Sequence, residues 1–110
     1  TLWHNPRCAK SRATLALLQD NGVQPSVRLY LQDPPSEAEI IAVRRVLDVT
    51  ADAMMRKGDA LFRDLGLRTA PEDQLIDAMI ANPILIERPI FMQNGKAAIG
   101  RPPENVLAIL

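Results

Sequence analysis

The chain has 110 residues, of which 47% are hydrophobic and 24% are charged, and its 13 basic side chains balance 13 acidic ones. This length predicts a single domain, residues 1–110, and the balanced charge offers no basic surface for nucleic acid. No apolar run approaches the roughly 20 residues that span a bilayer, and no signal peptide is recognisable, so we expect a cytoplasmic protein with no membrane partner. We expect no nucleic-acid partner, and a monomer is the default expectation.

The first third of the chain predicts a strand, a helix and a second strand. The apolar stretch TLWH ends at an Asn-Pro turn, and a helical pattern runs from about Lys10 to an Asn-Gly stop at Asn21. Residues 26–31, SVRLYL, alternate between apolar and polar side chains as a half-buried strand does. A strand–helix–strand unit of this length favours a right-handed parallel crossover.

The middle of the chain predicts helices only. Ser36 and Glu39 have the spacing of a capping box and begin a second helix. Residues 50–67 predict two short helical pieces separated by glycines, and PEDQLIDAMIANP predicts a longer helix with Pro71 in its first turn. We therefore expect a helical insertion over about 36–82.

The last third predicts a hairpin and a final helix. In PIFMQNGKAAIG, Asn94 and Gly95 are the two central turn residues between an apolar strand and a second strand. The final helix is predicted from about Pro103 to Leu110. Together the elements predict an α/β chain with a thioredoxin-like fold, a four-stranded mixed sheet made of a parallel β-α-β unit plus an antiparallel hairpin, with flanking helices.

The stretch WHNPRCAKSR holds the only cysteine, Cys8, and the only histidine, His4. A single cysteine excludes an internal disulfide, and one Cys with one His supplies too few ligands for a metal, so we expect no metal. We also expect no bound cofactor. Cys8 lies just before the predicted helix, where unpaired amides and nearby cations lower the pKa of a thiol and bind a tetrahedral anion. An inert buried cysteine beside a structural histidine fits the same pattern.

Four neighbours of the cysteine are candidates for binding a substrate or tuning the thiolate. His4 and Arg12 are placed to add positive charge or hydrogen bonds, the hydroxyl of Ser11 is placed to donate to the thiolate, and Asn5 belongs to the same loop. A cysteine-phosphatase loop is excluded because it needs an arginine where this chain has Thr14. A phosphate-binding P-loop is excluded because its Gly-x4-Gly-Lys-Ser/Thr sequence does not occur.

Four segments resemble, in order and spacing, the ArsC family of glutaredoxin-coupled arsenate reductases, and most closely its shorter YfgD-like branch: HNPRCAKSR, MMRKGDALFRDLGL, DQLIDAMIANPILIERPI and GKAAIGRPPENVL. The resemblance implies a thioredoxin-like fold with a helical insertion and a catalytic cysteine at Cys8. It implies three anion-binding arginines, which are Arg56, Arg88 and Arg101. It also implies that Pro89 is a structural cis-proline facing the cysteine.

The resemblance further implies a reaction and its partners. Cys8 attacks arsenate and expels water, glutathione displaces a further oxygen as a co-substrate, and glutaredoxin supplies the second thiol function that frees arsenite. Two alternatives stay open: a thiol-transfer oxidoreductase acting on another substrate, and a non-enzymatic regulator similar to the Spx type that binds RNA polymerase. Those regulators carry a CxxC switch, and this chain has Ser11 where the second cysteine would stand.

Overall fold

A computed structural model describes residues 1–110, which form a four-stranded mixed sheet and a set of helices. The strands are β1 (Leu2–Trp3), β2 (Val27–Arg28), β3 (Ile90–Gln93) and β4 (Lys96–Ile99). Their order in the sheet is β2-β1-β3-β4, with β1 parallel to β2 and the other two pairs antiparallel. This arrangement confirms the predicted α/β class and the thioredoxin-like sheet.

The helices occupy the predicted parts of the chain. The α-helices are α1 (Ala9–Asp20), α2 (Glu37–Leu47), α3 (Ala60–Asp64) and α4 (Glu72–Ala81). Shorter 3-10 segments are Ala51–Met54, Leu67–Thr69, Pro83–Leu85 and Pro103–Ile109, so the predicted C-terminal helix is of the 3-10 type. None of these helices has the length and apolar character needed to cross a membrane.

Contacts divide the chain into two units, and the single-domain expectation stays a prediction. Unit 1 consists of Thr1–Asp33 and Arg88–Leu110, and unit 2 consists of Pro34–Glu87. Unit 1 contains the whole sheet together with α1, and the C-terminal 3-10 segment packs against both α1 and β4. Its core is a cluster of fully buried apolar side chains from these elements: Leu2, Leu18, Phe91 and Val106. Burial of each such side chain contributes about 1.5–3 kcal/mol.

Unit 2 is helical and begins with the predicted capping box. The backbone N–H of Glu39 donates to Ser36 Oγ at 3.2 Å, and the N–H of Ser36 donates to Glu39 Oε1 at 2.9 Å. These two bonds satisfy amides that the first turn of α2 leaves without helical partners. Further along, α2 packs against α4, and an isolated antiparallel bridge joins Met55 to Ile86.

The hairpin turn has the predicted chemistry. Asn94 and Gly95 both have positive φ, 53° and 74°, as a two-residue type I′ turn requires. Four residue pairs then join β3 to β4 in register, from Ile90 with Ile99 to Gln93 with Lys96.

The second strand is shorter than predicted. Only Val27–Arg28 of residues 26–31 pairs with β1, and the C=O of Leu29 already accepts from the N–H groups of Gln32 (2.9 Å) and Asp33 (2.8 Å). The alternation of residues 29–31 therefore does not continue the strand, because a strand extends only as far as its partner. β1 ends at Trp3, and the chain then turns into the Asn-Pro loop.

Gly100 marks a close approach between the end of β4, helix α1 and the turn before β3. Its N–H donates to the C=O of Pro89 at 2.9 Å, and its C=O lies 3.5 Å from Thr14 Oγ1. A Cβ at this position would lie 2.6 Å from Thr14 Oγ1 and 2.9 Å from Pro89 Cγ. Those distances leave no room for any side chain, and the neighbours belong to a buried helix face and a proline ring rather than to flexible chain ends.

We expect Gly100→Ala to lower the free energy of unfolding by about 1–3 kcal/mol, the usual cost of forcing an extra carbon into a packed site. Urea unfolding followed by circular dichroism measures the change. Gly58→Ala is the matched control, because a Cβ there meets no atom within 4 Å and the backbone needs no positive φ. Equal stabilities of the two variants would contradict the close approach.

Candidate active site

Cys8 is the residue that caps the N-terminus of α1. Its backbone is extended (φ −94°, ψ 124°), and its C=O accepts the first helical hydrogen bond, from the N–H of Arg12 at 3.0 Å. Its own N–H donates to the C=O of Asn5 at 3.0 Å, which closes the loop before the helix. The thiol is partly exposed and forms no disulfide, so it is accessible to a reactant.

The surroundings of the sulfur favour the thiolate. Burial by itself raises the pKa of the Cys8 thiol, but hydrogen bonds from the backbone N–H groups of Ser11 and Lys10 lower it. The Arg88 side chain lowers it further, both as a hydrogen-bond donor and through its positive charge. Together these effects place the pKa of Cys8 below its ordinary value. The Cys8 side chain does not make the regular hydrogen bond of a helix N-cap. A thiolate at a helix N-terminus beside a cation is the form of cysteine that acts as a nucleophile.

A buried polar network supports the loop. Ser11 Oγ lies 2.6 Å from His4 Nδ1 and accepts a hydrogen bond from the N–H of Asn5 at 3.0 Å. His4 is only 6% exposed and Ser11 is fully buried. The hydroxyl of Ser11 is therefore engaged with the loop, while the backbone N–H of the same residue serves the cysteine.

His4 contributes a hydrogen bond rather than a charge. Burial lowers the pKa of its imidazole, and the nearby positive charge of Arg12 lowers it further, so the ring is neutral at neutral pH. The Arg12 guanidinium donates through Nη1 to the C=O of Pro6 at 2.8 Å, which ties the first turn of α1 to the loop. Among the predicted cations, Arg88 is the one that acts directly on the pKa of Cys8.

The three predicted arginines have different surroundings. Arg88 belongs to unit 1, contacts Cys8, and precedes a cis peptide bond to Pro89; that Pro89 faces the cysteine stays a prediction. Arg101 also belongs to unit 1, where it is exposed just after β4 and precedes a second cis-proline. Arg56 belongs to unit 2, and its Nη1 lies 3.6 Å from Asp59 Oδ2. The action of Arg56 and Arg101 on a ligand of Cys8 stays a prediction.

Three features of the site carry no signal in the sequence. The Lys10 contribution is a backbone N–H, which any residue type supplies, and the bond between Ser11 and His4 joins side chains of a helix and a strand end. The second cis bond, between Arg101 and Pro102, is likewise not marked by its residue types. No group of three or more His, Cys, Asp or Glu side chains is arranged to hold a metal ion.

Comparison with known proteins gives one consistent result. The family model described as the ArsC family matches residues 3–109. The chain is 48% identical to the uncharacterised protein YfgD of Escherichia coli K12, over 99% of this chain and 94% of that protein. It is 45% identical to a protein of Neisseria meningitidis named arsenate reductase, over 99% and 96% of the two chains. The solved structure of an arsenate reductase from Vibrio cholerae superposes with a TM-score of 0.96 at 45% identity, covering 100% of this chain and 96% of that one.

We expect the alkylation rate of Cys8 by iodoacetamide to rise with pH around a midpoint below that of the same thiol in the urea-unfolded chain. Arg88→Gln removes a hydrogen bond and a positive charge that favour the thiolate, so its midpoint moves to higher pH. Arg63→Gln is the control, because the Arg63 side chain is 78% exposed and lies in unit 2. A midpoint in Arg88→Gln equal to that of the parent chain would contradict the role of Arg88.

We expect Ser11→Ala to lower the free energy of unfolding by about 1–3 kcal/mol, because it leaves His4 Nδ1 and the Asn5 N–H buried without a partner. The midpoint of Cys8 alkylation should move less than in Arg88→Gln, since the Ser11 backbone N–H is retained. Ser26→Ala, at an exposed position of the same unit, controls for the loss of a hydroxyl. A large shift of the midpoint without loss of stability would instead assign the hydroxyl to the thiolate.

Proposed function

The chain belongs to the ArsC family, and we propose on that basis that it is an arsenate reductase in which the Cys8 thiolate attacks the substrate. The observation that carries this proposal is the lowered pKa of Cys8, whose sulfur faces two amides of α1 and the Arg88 guanidinium. The same donors that stabilise a thiolate also suit a tetrahedral oxyanion bound beside it. Relatives that share 45% of its residues over nearly the whole chain are named arsenate reductase.

Arginine side chains suit this substrate. Arsenate is a tetrahedral oxyanion with more than one negative charge near neutral pH, and a guanidinium group can donate two parallel hydrogen bonds to its oxygens. In the proposed site Arg88 holds arsenate oxygens beside the sulfur, and Arg56 and Arg101 complete the anion-binding set. The contact between Arg88 and Cys8 supports the first assignment, and the resemblance of the segments MMRKG and IGRPP to the family supports the rest.

The proposed reaction uses two thiols from other molecules. The Cys8 sulfur bonds to arsenic(V) as one oxygen leaves as water, and the thiol of glutathione displaces a second oxygen in the same way. A glutaredoxin thiol then attacks the glutathione sulfur, so that a disulfide forms, the bond between that sulfur and arsenic breaks, and its electron pair stays on arsenic. Hydrolysis of the remaining sulfur–arsenic bond releases arsenite and restores Cys8. The presence of one cysteine in these 110 residues supports this use of external thiols.

We expect arsenate-dependent turnover with glutathione and glutaredoxin, measured as NADPH oxidation coupled through glutathione reductase. Cys8→Ser should have no measurable activity. Arg88→Lys keeps the charge but loses the planar donor pair, and we expect kcat/KM for arsenate to fall by about 100-fold, as for other losses of a preorganised donor. Arg63→Lys, with its exposed side chain, should match the parent chain.

Two results would redirect the assignment. Full activity of Cys8→Ser would remove the proposed nucleophile. Turnover of a glutathione mixed disulfide together with no turnover of arsenate would make the chain a thiol-transfer oxidoreductase on another substrate.

A further inference from the structure

A groove lies at the carboxyl ends of the two parallel strands. It has a volume of about 230 Å³ and lies within unit 1. The loop that follows β1 lines it with Asn5, Pro6 and Arg7, and the segment that follows β2 lines it with Leu31 and its neighbours. In open α/β sheets the crevice outside the carboxyl ends of parallel strands is the usual place for a ligand. Nothing in the proposed reaction of Cys8 with arsenate uses this groove.

Hydrogen bonds hold both walls of the groove in place. In the first wall, the N–H of Arg7 donates to Asn5 Oδ1 at 3.0 Å, and the N–H of Cys8 donates to the C=O of Asn5 at 3.0 Å. In the second, the C=O of Leu29 accepts from the N–H groups of Gln32 and Asp33. A ligand therefore meets a shape that is already formed, which removes part of the entropy cost of binding.

The groove carries a positive charge and an apolar surface. Arg7 is exposed and is the only formally charged side chain among the lining residues, because His4 is neutral. Leu31 is 40% exposed and gives the groove an apolar surface, and Gln32 offers amide groups for a peptide backbone. The combination suits a small anionic peptide better than it suits an inorganic anion, which would gain nothing from the leucine.

The groove lies next to the nucleophile, and this narrows the choice of peptide. Arg7 lines the groove and directly precedes Cys8, so their Cα atoms are about 3.8 Å apart. The volume lies below the roughly 300–1,000 Å³ of ordinary ligand pockets, so it suits part of a short peptide whose remainder extends toward Cys8. Glutathione has this form: it is a tripeptide with a net negative charge and a thiol on its central residue.

We propose that this strand-end groove, lined by His4–Arg7 and by Leu29, Leu31 and Gln32, is the subsite that binds glutathione and directs its thiol toward Cys8. The choice of glutathione rests on the proposed function, in which that thiol displaces an oxygen of the arsenic bound to Cys8. Arg7 pairs with a glutathione carboxylate, and Leu31 packs against the carbon atoms of the peptide. The groove adds no redox step of its own, since it only positions a reactant.

Binding is tested with S-methylglutathione, which has no free thiol and cannot react. In an NMR titration of the isotope-labelled chain we expect shift changes at Arg7, Leu31 and Gln32, and a Kd that rises at least tenfold in Leu31→Glu. Val27→Glu is the matched control, because Val27 is also an exposed apolar side chain (44%) but does not line the groove. Shift changes elsewhere, or equal Kd values for the two variants, would overturn the proposal.

Kinetics distinguish this proposal from the proposed function. In Leu31→Glu we expect KM for glutathione to rise at least tenfold, while protection of Cys8 from alkylation by arsenate stays as in the parent chain. An unchanged KM for glutathione with normal turnover would overturn the proposal that the groove binds glutathione and leave the proposed arsenate reduction unaffected. If the parent chain did not turn over arsenate but bound S-methylglutathione in the groove, the proposed arsenate reductase activity would be overturned and the proposed glutathione subsite would stand.

Discussion

The site depends on the placement of one sulfur atom at the first turn of α1. An α-helix leaves its first amides without helical partners, and in this chain two of them, at Lys10 and Ser11, face the Cys8 sulfur. Partial burial disfavours the negative charge on that sulfur, and the two amides act against this effect. Arg88 adds a further hydrogen-bond donor and a positive charge. Because Arg88 is distant from Cys8 in the sequence, its share of the thiolate's stabilisation exists only when unit 1 is folded.

The remaining side chains near the sulfur act through geometry rather than charge. His4 is buried and neutral, and its bond to Ser11 Oγ holds the strand end against the helix start. The same hydroxyl accepts from the N–H of Asn5, so one buried oxygen satisfies two groups of the loop. A cation at His4 would be expensive to bury beside Arg12. The histidine is therefore better suited to fixing the direction of the amides than to supplying charge.

Local signals allowed much of the fold to be predicted, and non-local partners account for what was missed. The capping box at Ser36 and the Asn94–Gly95 turn are each specified by a few adjacent residues, and both occur as predicted. The second strand was overestimated because its length is set by β1, not by its own alternation. The position of Cys8 before a helix made it a candidate nucleophile and left an inert buried cysteine open, and the resemblance to the family favoured the nucleophile. The roles of the Ser11 hydroxyl and of Arg88 could not be derived in that way, because their partners are distant in sequence or involve backbone atoms.

The number of cysteines constrains what this site can complete alone. Reduction of arsenic(V) to arsenic(III) takes two electrons, and two thiols supply them when they join in a disulfide. Cys8 is the only thiol of these 110 residues, so in the proposed reaction it ends as a thiol again and other molecules carry the oxidation. Such a site needs access for a second thiol as much as it needs affinity for the anion. Cys8 is partly exposed, and its backbone N–H and C=O are both hydrogen-bonded. A second thiol can therefore approach the sulfur without any opening of the loop.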